Sequence, residues 1–176
     1  MAETQQPSQN FDDLVGVVET LLAPGGCPWD REQTHSTLRK YLLEETYELI
    51  EAVDAADPEA MTEELGDLLV HVLFHAEMAK AAGEFKLGDI VYSAAAKMIG
   101  RHPHVFGETE AKTAEDVLQN WDQLKRKEKG GVRRIADAVP KAMPALSYAA
   151  ELQNRVERAK VEWRDSNESR LPPKLI

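Results

Sequence analysis

The residues best suited to chemistry are two pairs of acids, whose members lie three positions apart. Glu45 and Glu48 form the first pair, and Glu64 and Asp67 form the second. On a helical wheel, Glu45 falls in the middle of an apolar stripe, and Glu48 lies at its edge, roughly 60° away. Asp67 lies roughly 60° from Glu64, which is also surrounded by apolar residues. The pattern predicts that two neighbouring helices turn four carboxylates toward a common interior.

Carboxylates crowded in an apolar interior repel one another and lose hydration, so positive charge must compensate them. The nearest basic residues in sequence, Arg39 and Lys40, could neutralise two of them at most. Oxygen ligands without a thiolate suit Mg²⁺, with Mn²⁺ as a possible substitute, better than zinc. The alternative interpretation is a set of solvated helix acids, and the repetition of the pattern on two apolar faces weakens it.

A magnesium ion held by carboxylates usually binds phosphate oxygens, so we expect a substrate that carries a di- or triphosphate. The sequence has no glycine-rich P-loop, and the metal ions must therefore supply most of the phosphate recognition. Attack of a metal-activated water on a phosphoanhydride is the simplest reaction class that fits.

Helix formers dominate the composition, and six segments carry helical periodicity and end signals. We predict helices over 11–22, about 36–56, 57–82, 87–99, 113–129 and 142–163. Asp57 followed by Pro58 is typical of a helix start, while Gly83 and Gly100 predict helix ends. The histidine-bearing stretch 101–107 is expected to be a rigid loop. The predicted fold is an all-α bundle around an antiparallel hairpin of the second and third helices.

The net charge of −10 argues against nucleic-acid or anionic-membrane partners, which require a basic surface. The single cysteine, Cys27, cannot form an intrachain disulfide, and it has no metal-ligand or catalytic partner at useful spacing. The N-terminus lacks the pattern of a signal peptide, and the sequence has no apolar run of membrane-spanning length. These features predict a cytoplasmic protein.

The third predicted helix is apolar nearly all round, which favours burial against a partner chain. Leu73 and Phe74 lie on the side opposite its acids and are expected at a dimer interface. His71 and His75 share the acid face, where they could reach a metal or nucleotide, although core or interface histidines are commoner. Trp29 is open to two interpretations, core packing or a platform for a nucleobase.

Six sequence elements, taken together, resemble the MazG family of all-α nucleoside triphosphate pyrophosphohydrolases. They are the EExxE and ExxD motifs at 44–48 and 64–67, the stretches 26–30 and 33–35, the stretch 101–107 and the stretch 120–125. The resemblance covers about residues 11–129. It implies a dimeric helical bundle that converts nucleoside triphosphate and water to monophosphate and pyrophosphate.

The resemblance also implies roles for individual residues. Glu45, Glu48, Glu64 and Asp67 match the family's metal ligands. Lys97 and Arg101 match phosphate-binding positions, Trp121 a nucleotide-packing position, and Lys125 a weaker substrate contact. Glu44, the leading acid of EExxE, is the candidate for orienting or deprotonating the attacking water.

Longer family members have two tandem domains, whereas here residues 131–176 resemble the lead-in to a second one. We therefore divide the chain into a MazG-like domain, 1–130, and a helical extension, 131–176. The leading function is broad cleaning of the nucleotide pool. A specific dUTP or dCTP pyrophosphatase and a non-catalytic nucleotide-sensing module remain open as alternatives.

Overall fold

The computed structural model describes residues 8–111, 113–117, 120–121, 124 and 135–159, and all regular structure in these ranges is helical. The bounded α-helices are α1 (Phe11–Leu22), α2 (Pro28–Arg31), α3 (Arg39–Asp54), α4 (Pro58–Ala82), α5 (Leu87–Arg101), α6 (Pro103–Phe106) and α7 (Ala145–Arg158). The chain divides into two compact units, Met1–Lys97 and Met98–Ile176. The all-α class is confirmed for the described residues, and none of their helices is long and apolar enough to cross a membrane.

The first helix begins and ends where the sequence predicts, because its start carries a clear capping signal. The side-chain oxygen of Asn10 accepts a 3.1 Å hydrogen bond from the backbone N–H of Asp12. Asp12 and Asp13 also place negative charge at the positive end of the helix dipole. The helix buries Val18, which is 1% exposed, in the core of the first unit.

The turn-rich stretch after α1 contains a short helix, α2, that the sequence pattern did not predict. The chain first folds back on α1, where the backbone N–H of Cys27 donates to the carbonyl of Leu21 at 2.9 Å. Pro28 then begins α2, since proline at the first helical position loses no hydrogen bond. A helix of four residues is too short to produce an apolar period, and periodicity therefore missed it.

The helix α3 begins at Arg39, later than the start of the second predicted helix at about residue 36, because the residues before it form a hydrogen-bonded turn. The backbone N–H of Thr34 donates to Thr37 Oγ1 at 2.8 Å, and the N–H of Thr37 donates to Thr34 Oγ1 at 3.1 Å. Gln33 Nε2 donates to the carbonyl of Trp29 at 2.9 Å. These bonds join α2 and the turn before α3 into one hydrogen-bonded segment.

The long fourth helix has the predicted bounds because both ends are specified by residue type. Asp57 Oδ1 accepts hydrogen bonds from the N–H groups of Glu59 and Ala60 at 3.0 and 3.2 Å. Gly83 ends the helix in the left-handed conformation, with φ 71°. The preceding helix stops at Asp54 rather than at Ala56, which has a positive φ of 50° in the connection between the two helices.

The core of the first unit lies where α1, α4 and the start of α3 meet. Its buried side chains are Val18, Leu38, Leu73 and Phe74. Leu38 immediately precedes α3, so the start of α3 packs against the C-terminal half of α4. The expectation that Leu73 and Phe74 face a partner chain is wrong, because they are 1% and 7% exposed within a single chain.

Two predictions around α5 and α6 are also wrong. The helix α5 was predicted to end at Gly100, but it continues through this glycine and ends at Arg101. A glycine inside a helix costs only about 1 kcal/mol, so it does not end the helix by itself. Pro103 instead forces His102 out of the helical conformation, to φ −119° and ψ 55°. Residues from Pro103 then form α6, where a loop was predicted. The Nδ1–H of His102 donates to the carbonyl of Met98 at 2.6 Å and caps the last turn of α5.

The remaining predicted helices are described only in part. Residues 114–117, 120–121 and 124 are helical, in agreement with the helix predicted over 113–129. The last predicted helix begins at Ala145 rather than at Ala142, because Pro144 occupies the N-cap position. Lys125, the boundary between 130 and 131, and the stretch 160–163 lie outside the described residues. The division into 1–130 and 131–176 therefore stays a prediction.

Gly26 allows the close approach of the α1–α2 turn to α1. A Cβ atom there would lie 2.3 Å from the carbonyl oxygen of Leu21 and 2.4 Å from that of Thr20. We expect Gly26→Ala to lower the free energy of unfolding by about 1–3 kcal/mol, as overpacking does. The measurement is urea denaturation. Gly16→Ala is the matched control, because nothing lies within 4 Å of a Cβ there. It should leave stability unchanged or raise it by up to about 1 kcal/mol, and equal losses in both variants would refute the steric argument.

Candidate metal centre

Three of the four predicted acids meet between α3 and α4. Glu45 and Glu48 extend from α3 and Glu64 extends from α4, and one carboxylate oxygen of each lies within 4.8 Å of the others. The trio forms because residues three apart share a helix face and because α4 packs alongside α3. Geometry of this kind fits a divalent cation, whose carboxylate ligands must converge on one point.

The fourth acid, Asp67, lies close enough to influence the trio without belonging to it. Its negative charge raises the pKa of both Glu45 and Glu64. Glu45 and Glu64 are half-buried, whereas Glu48 and Asp67 are exposed on the single chain. The prediction that the acids turn inward is therefore accurate for the first member of each pair only. The reason is that the second member lies at the edge of its helix stripe, roughly 60° from the centre.

Within the part of the chain that the structure describes, no basic group offsets the negative charge of the trio. Burial raises the pKa of Glu45 from 4.5 to about 7, and the charges of Asp67, Glu48 and Glu64 contribute to the rise. Burial also raises the pKa of Glu64, again with help from neighbouring carboxylates. Protonated Glu45 donates hydrogen bonds to Glu48 and Glu64. A proton thus occupies a cluster whose oxygen-only donor set suits Mg²⁺ or Mn²⁺.

Two of the other predicted site residues, Glu44 and Lys97, lie outside the trio. Glu44 is exposed on α3 and does not belong to the trio. Lys97 is exposed on α5, beside a shallow groove lined by Phe85, Asp89 and Ser93. Lys125 lies outside the described residues. The roles predicted for these residues stay predictions.

Arg101 and Trp121 meet within the second unit. The Arg101 guanidinium carbon lies 5.4 Å from the centre of the Trp121 ring, which is suitable for a cation–π contact. The ring of His102 meets the same indole edge-on, with ring centres 4.9 Å apart. His104, the other histidine of this stretch, has a buried Nδ1 without a hydrogen-bond partner among the described residues.

An aromatic and basic cleft at the start of α3 was only partly anticipated. The cleft has a volume of about 630 Å³ and is lined by residues that include Trp29, Thr37, Arg39, Lys40 and Tyr41. Trp29 is 53% exposed, so the core-packing interpretation of this residue is wrong. Its ring meets Tyr41 edge-on at 5.8 Å, and Lys40 Nζ lies 4.3 Å from the centre of the Tyr41 ring. From the sequence, Arg39 and Lys40 were expected only as counter-charges for the carboxylates.

One of the two histidines of α4, His75, forms a contact that the sequence did not reveal. Burial lowers the pKa of both His71 and His75. Nδ1 of His75 lies 2.6 Å from Nδ1 of His35, in the turn before α3. These two residues are 40 positions apart in sequence, and no local pattern links positions so distant. The only available signal was the presence of His35 in the stretch 33–35.

Comparison with known proteins identifies the relatives of this chain. Residues 33–106 match the MazG nucleotide pyrophosphohydrolase domain, and this range contains all four predicted metal ligands. The chain is 42% identical to the nucleoside triphosphate pyrophosphohydrolase/pyrophosphatase MazG of Thermotoga maritima, over 88% of this chain and 60% of the relative. It is 39% identical to the nucleoside triphosphate pyrophosphohydrolase of Escherichia coli, over 87% of this chain and 59% of the relative. It is also 44% identical to the protein YabN of Bacillus subtilis, over 81% of this chain and 29% of the relative. The chain thus spans 60% or less of the length of these relatives.

The raised pKa of Glu45 predicts how the metal-free protein responds to pH. The folded chain retains this proton up to about pH 7, whereas the unfolded chain loses it near pH 4.5. Unfolding therefore releases protons in this range, and stability falls as the pH rises through it. We expect Glu45→Gln to be more stable than the wild type at about pH 8, by on the order of 1 kcal/mol once solvent screening is allowed for.

Thermal unfolding in EDTA, recorded between about pH 5 and 8, measures this difference. Glu44→Gln is the matched control, because Glu44 is an exposed neighbour outside the trio. Its stability should follow the wild-type pH dependence. Parallel curves for all three proteins would mean that the carboxylates do not interact as described.

Proposed function

Since this chain belongs to the MazG family, we propose that it hydrolyses nucleoside triphosphates to nucleoside monophosphate and pyrophosphate in a magnesium-dependent reaction. The observation that carries the proposal is the convergence of Glu45, Glu48 and Glu64, with carboxylate oxygens within 4.8 Å of one another. Ion pairs among the described residues do not account for the trio, because none of their basic groups contributes to the pKa of Glu45 or Glu64. Without a cation, the convergence of the three carboxylates costs free energy, whereas with a cation the same oxygens serve as its ligands.

Four residues of this chain would hold the metal. Glu45, Glu48 and Glu64 provide the converging oxygens, and Asp67 is close enough to add its charge to theirs. When bound, Mg²⁺ supplies positive charge for phosphate oxygens and lowers the pKa of a coordinated water, and Mn²⁺ is a plausible substitute. The chain's own contribution is to fix the ligands on two packed helices and to give up the proton held by Glu45.

The reaction requires a group that accepts the proton of the attacking water. Glu44 is our candidate, because it lies on α3 next to Glu45 and its exposed carboxylate is open to solvent. The water oxygen forms a bond to the α phosphorus, and the bond from that phosphorus to the bridging oxygen of pyrophosphate breaks. The electron pair leaves with pyrophosphate, and the proton passes to Glu44.

Basic and aromatic residues complete the proposed substrate contacts. By resemblance to the family, we assign phosphate binding to Lys97 and Arg101, nucleotide packing to Trp121, and a weaker contact to Lys125. The Arg101–Trp121 contact supports a shared role of this pair, because a cation and an indole together suit a ligand that is both anionic and aromatic. We further propose that the substrates are broad, as suits cleaning of the nucleotide pool.

We also propose that a hairpin of α3 and α4 forms the centre of a dimeric helical bundle. Each helix has a row of apolar side chains that one chain leaves exposed. The row on α3 is Leu43, Tyr47 and Ile50, and the row on α4 is Leu65, Leu69 and Val72. Their fractional exposure ranges from 37% to 52%, which is high for side chains at helical spacing on adjacent helices. A second copy of the chain would cover them.

The position of bond cleavage tests the proposed reaction. Hydrolysis in water enriched in heavy oxygen should place the label in the nucleoside monophosphate, because water attacks the α phosphorus. Mass spectrometry of the products measures this. Glu48→Gln should abolish magnesium-dependent release of pyrophosphate, whereas Glu51→Gln, an exposed acid of α3 outside the trio, should retain it.

The possible outcomes separate the competing functions. Label in orthophosphate together with a nucleoside diphosphate product would mean attack at the γ phosphorus and would refute the assignment. Binding of nucleotide without any product would favour a sensing module. Turnover of a single pyrimidine deoxynucleotide in a substrate panel would replace broad cleaning with a narrow specificity.

A charge in the exposed row of α4 tests the proposed dimer. We expect the wild type to sediment at twice the mass of the chain, and Leu69→Lys to shift the equilibrium toward monomer by at least about tenfold, because a buried unpaired charge is costly. Leu146→Lys is the matched control, since Leu146 is 87% exposed on α7, outside the proposed interface. A wild-type monomer at micromolar concentration would contradict the proposal.

A further inference from the structure

Two histidines from distant parts of the first unit point ring nitrogens at each other. Nδ1 of His35 and Nδ1 of His75 are 2.6 Å apart, while the ring centres are 4.9 Å apart and the planes differ by only 10°. The difference between the two distances is about twice the radius of an imidazole ring. Both nitrogens therefore lie near the line between the ring centres, so the contact is an end-to-end N–H···N hydrogen bond rather than face-to-face stacking.

The distance decides what lies between the two nitrogens. A divalent zinc ion binds imidazole nitrogen at about 2.0–2.1 Å, so two nitrogens in line across it would be about 4 Å apart. A separation of 2.6 Å is too short for an ion between the nitrogens, whereas one proton can lie between them. One histidine must then be the Nδ1–H tautomer, and the other must be the Nε2–H tautomer with a free lone pair on Nδ1.

This hydrogen bond joins two parts of the fold that differ in burial. His75 is half-buried on α4, between the core residues Phe74 and Ala76. His35 is exposed in the turn before α3, where the bonds between Thr34 and Thr37 hold the turn together. Gln33 continues the network to the carbonyl of Trp29. The histidine pair thus joins the turn before α3 to the long helix, beside the apolar contact that buried Leu38 makes with Leu73 and Phe74.

We propose that His35 and His75 form a proton-controlled latch, which holds the turn 33–37 against α4 while the pair shares one proton and releases this turn when both rings are protonated. The latch is a property of the fold and does not depend on the proposed hydrolysis. A single extra proton is compatible with the bond, because an imidazolium Nδ1–H can donate to a neutral Nδ1. A second extra proton places two N–H groups face to face, and the bond is lost.

The surroundings of His75 set the direction of the response. Burial lowers the pKa of His75 from 6.5, and the charges of His35 and His71 lower it further. The charge of Asp67, on the same helix, raises the pKa of His71. Glu19 of α1 forms a 2.6 Å ion pair with Lys80, which lies at the next turn of α4. The start of α3 contributes the apolar Leu38. Stability from neutral His75 is thus fully present above pH 6.5 and is lost as the pH falls below it.

Nuclear magnetic resonance of the full chain tests the latch without any variant. Long-range correlations in the imidazole rings should show one Nδ1–H and one Nε2–H tautomer at about pH 8. Hydrogen exchange, corrected for its intrinsic pH dependence, should show protection of the Gln33 and Leu38 amides falling at least about tenfold between about pH 7.5 and 4.5, where the second proton binds. The Ala23 amide, which closes the end of α1, is the internal reference and should keep its protection.

Variants separate the latch from a general effect of acid. His35→Gln should give low protection of the same amides throughout the pH range. His71→Gln should keep the pH response and move it to higher pH, because the charge of His71 lowers the pKa of His75. His75→Gln provides a second route if His35→Gln changes the fold. Two Nε2–H tautomers at high pH, or protection that does not change with pH in the wild type, would overturn the proposal.

Discussion

Repulsion among the carboxylates of α3 and α4 is the constraint around which the first unit is organised. Burial and mutual charge both raise the pKa of Glu45 and Glu64, so holding their ionised carboxylates together costs free energy. Apolar packing opposes this cost. Leu38 is buried with Leu73 and Phe74 of α4, and this contact joins the start of α3 to the C-terminal half of α4. Hydrophobic burial of about 1.5–3 kcal/mol for each such side chain offsets the electrostatic cost.

Capping residues made some helices predictable, and tertiary contacts made others unpredictable. Asn10, Asp57 and Gly83 specify their helix ends by local hydrogen bonds or by φ, and there the predicted bounds agree with the structure. Gly100 misled the prediction because a glycine ends a helix only in a suitable local context, and Pro103 was the stronger signal. The short α2 and the His35–His75 contact were missed because neither produces a pattern within a single helical segment.

Periodicity located the acids correctly but could not say which apolar side of a helix is covered by the same chain. Leu73 and Phe74 pack against α1 and the start of α3, while Leu65 and Leu69 on the same helix stay exposed. All four have the same hydrophobic character, and only the positions of neighbouring helices distinguish them. For the same reason the wheel placed Glu45 and Glu64 well and overstated the burial of Glu48 and Asp67.

The two proton-holding groups of the first unit respond to pH in opposite ways, and α4 connects them. Glu64 and Asp67 lie in its N-terminal half and His75 in its C-terminal half. Raising the pH above 4.5 weakens the metal-free fold, because Glu45 must lose a proton that the folded state binds up to about pH 7. Lowering the pH below 6.5 weakens it through His75, because the unfolded state takes up that proton more readily. A cation bound as we propose would remove the first loss and leave the second unchanged, because it would replace the proton on Glu45 only. The pH of greatest stability would then move upward on binding of the cation, while the acid limit set by the histidine pair would stay where it is.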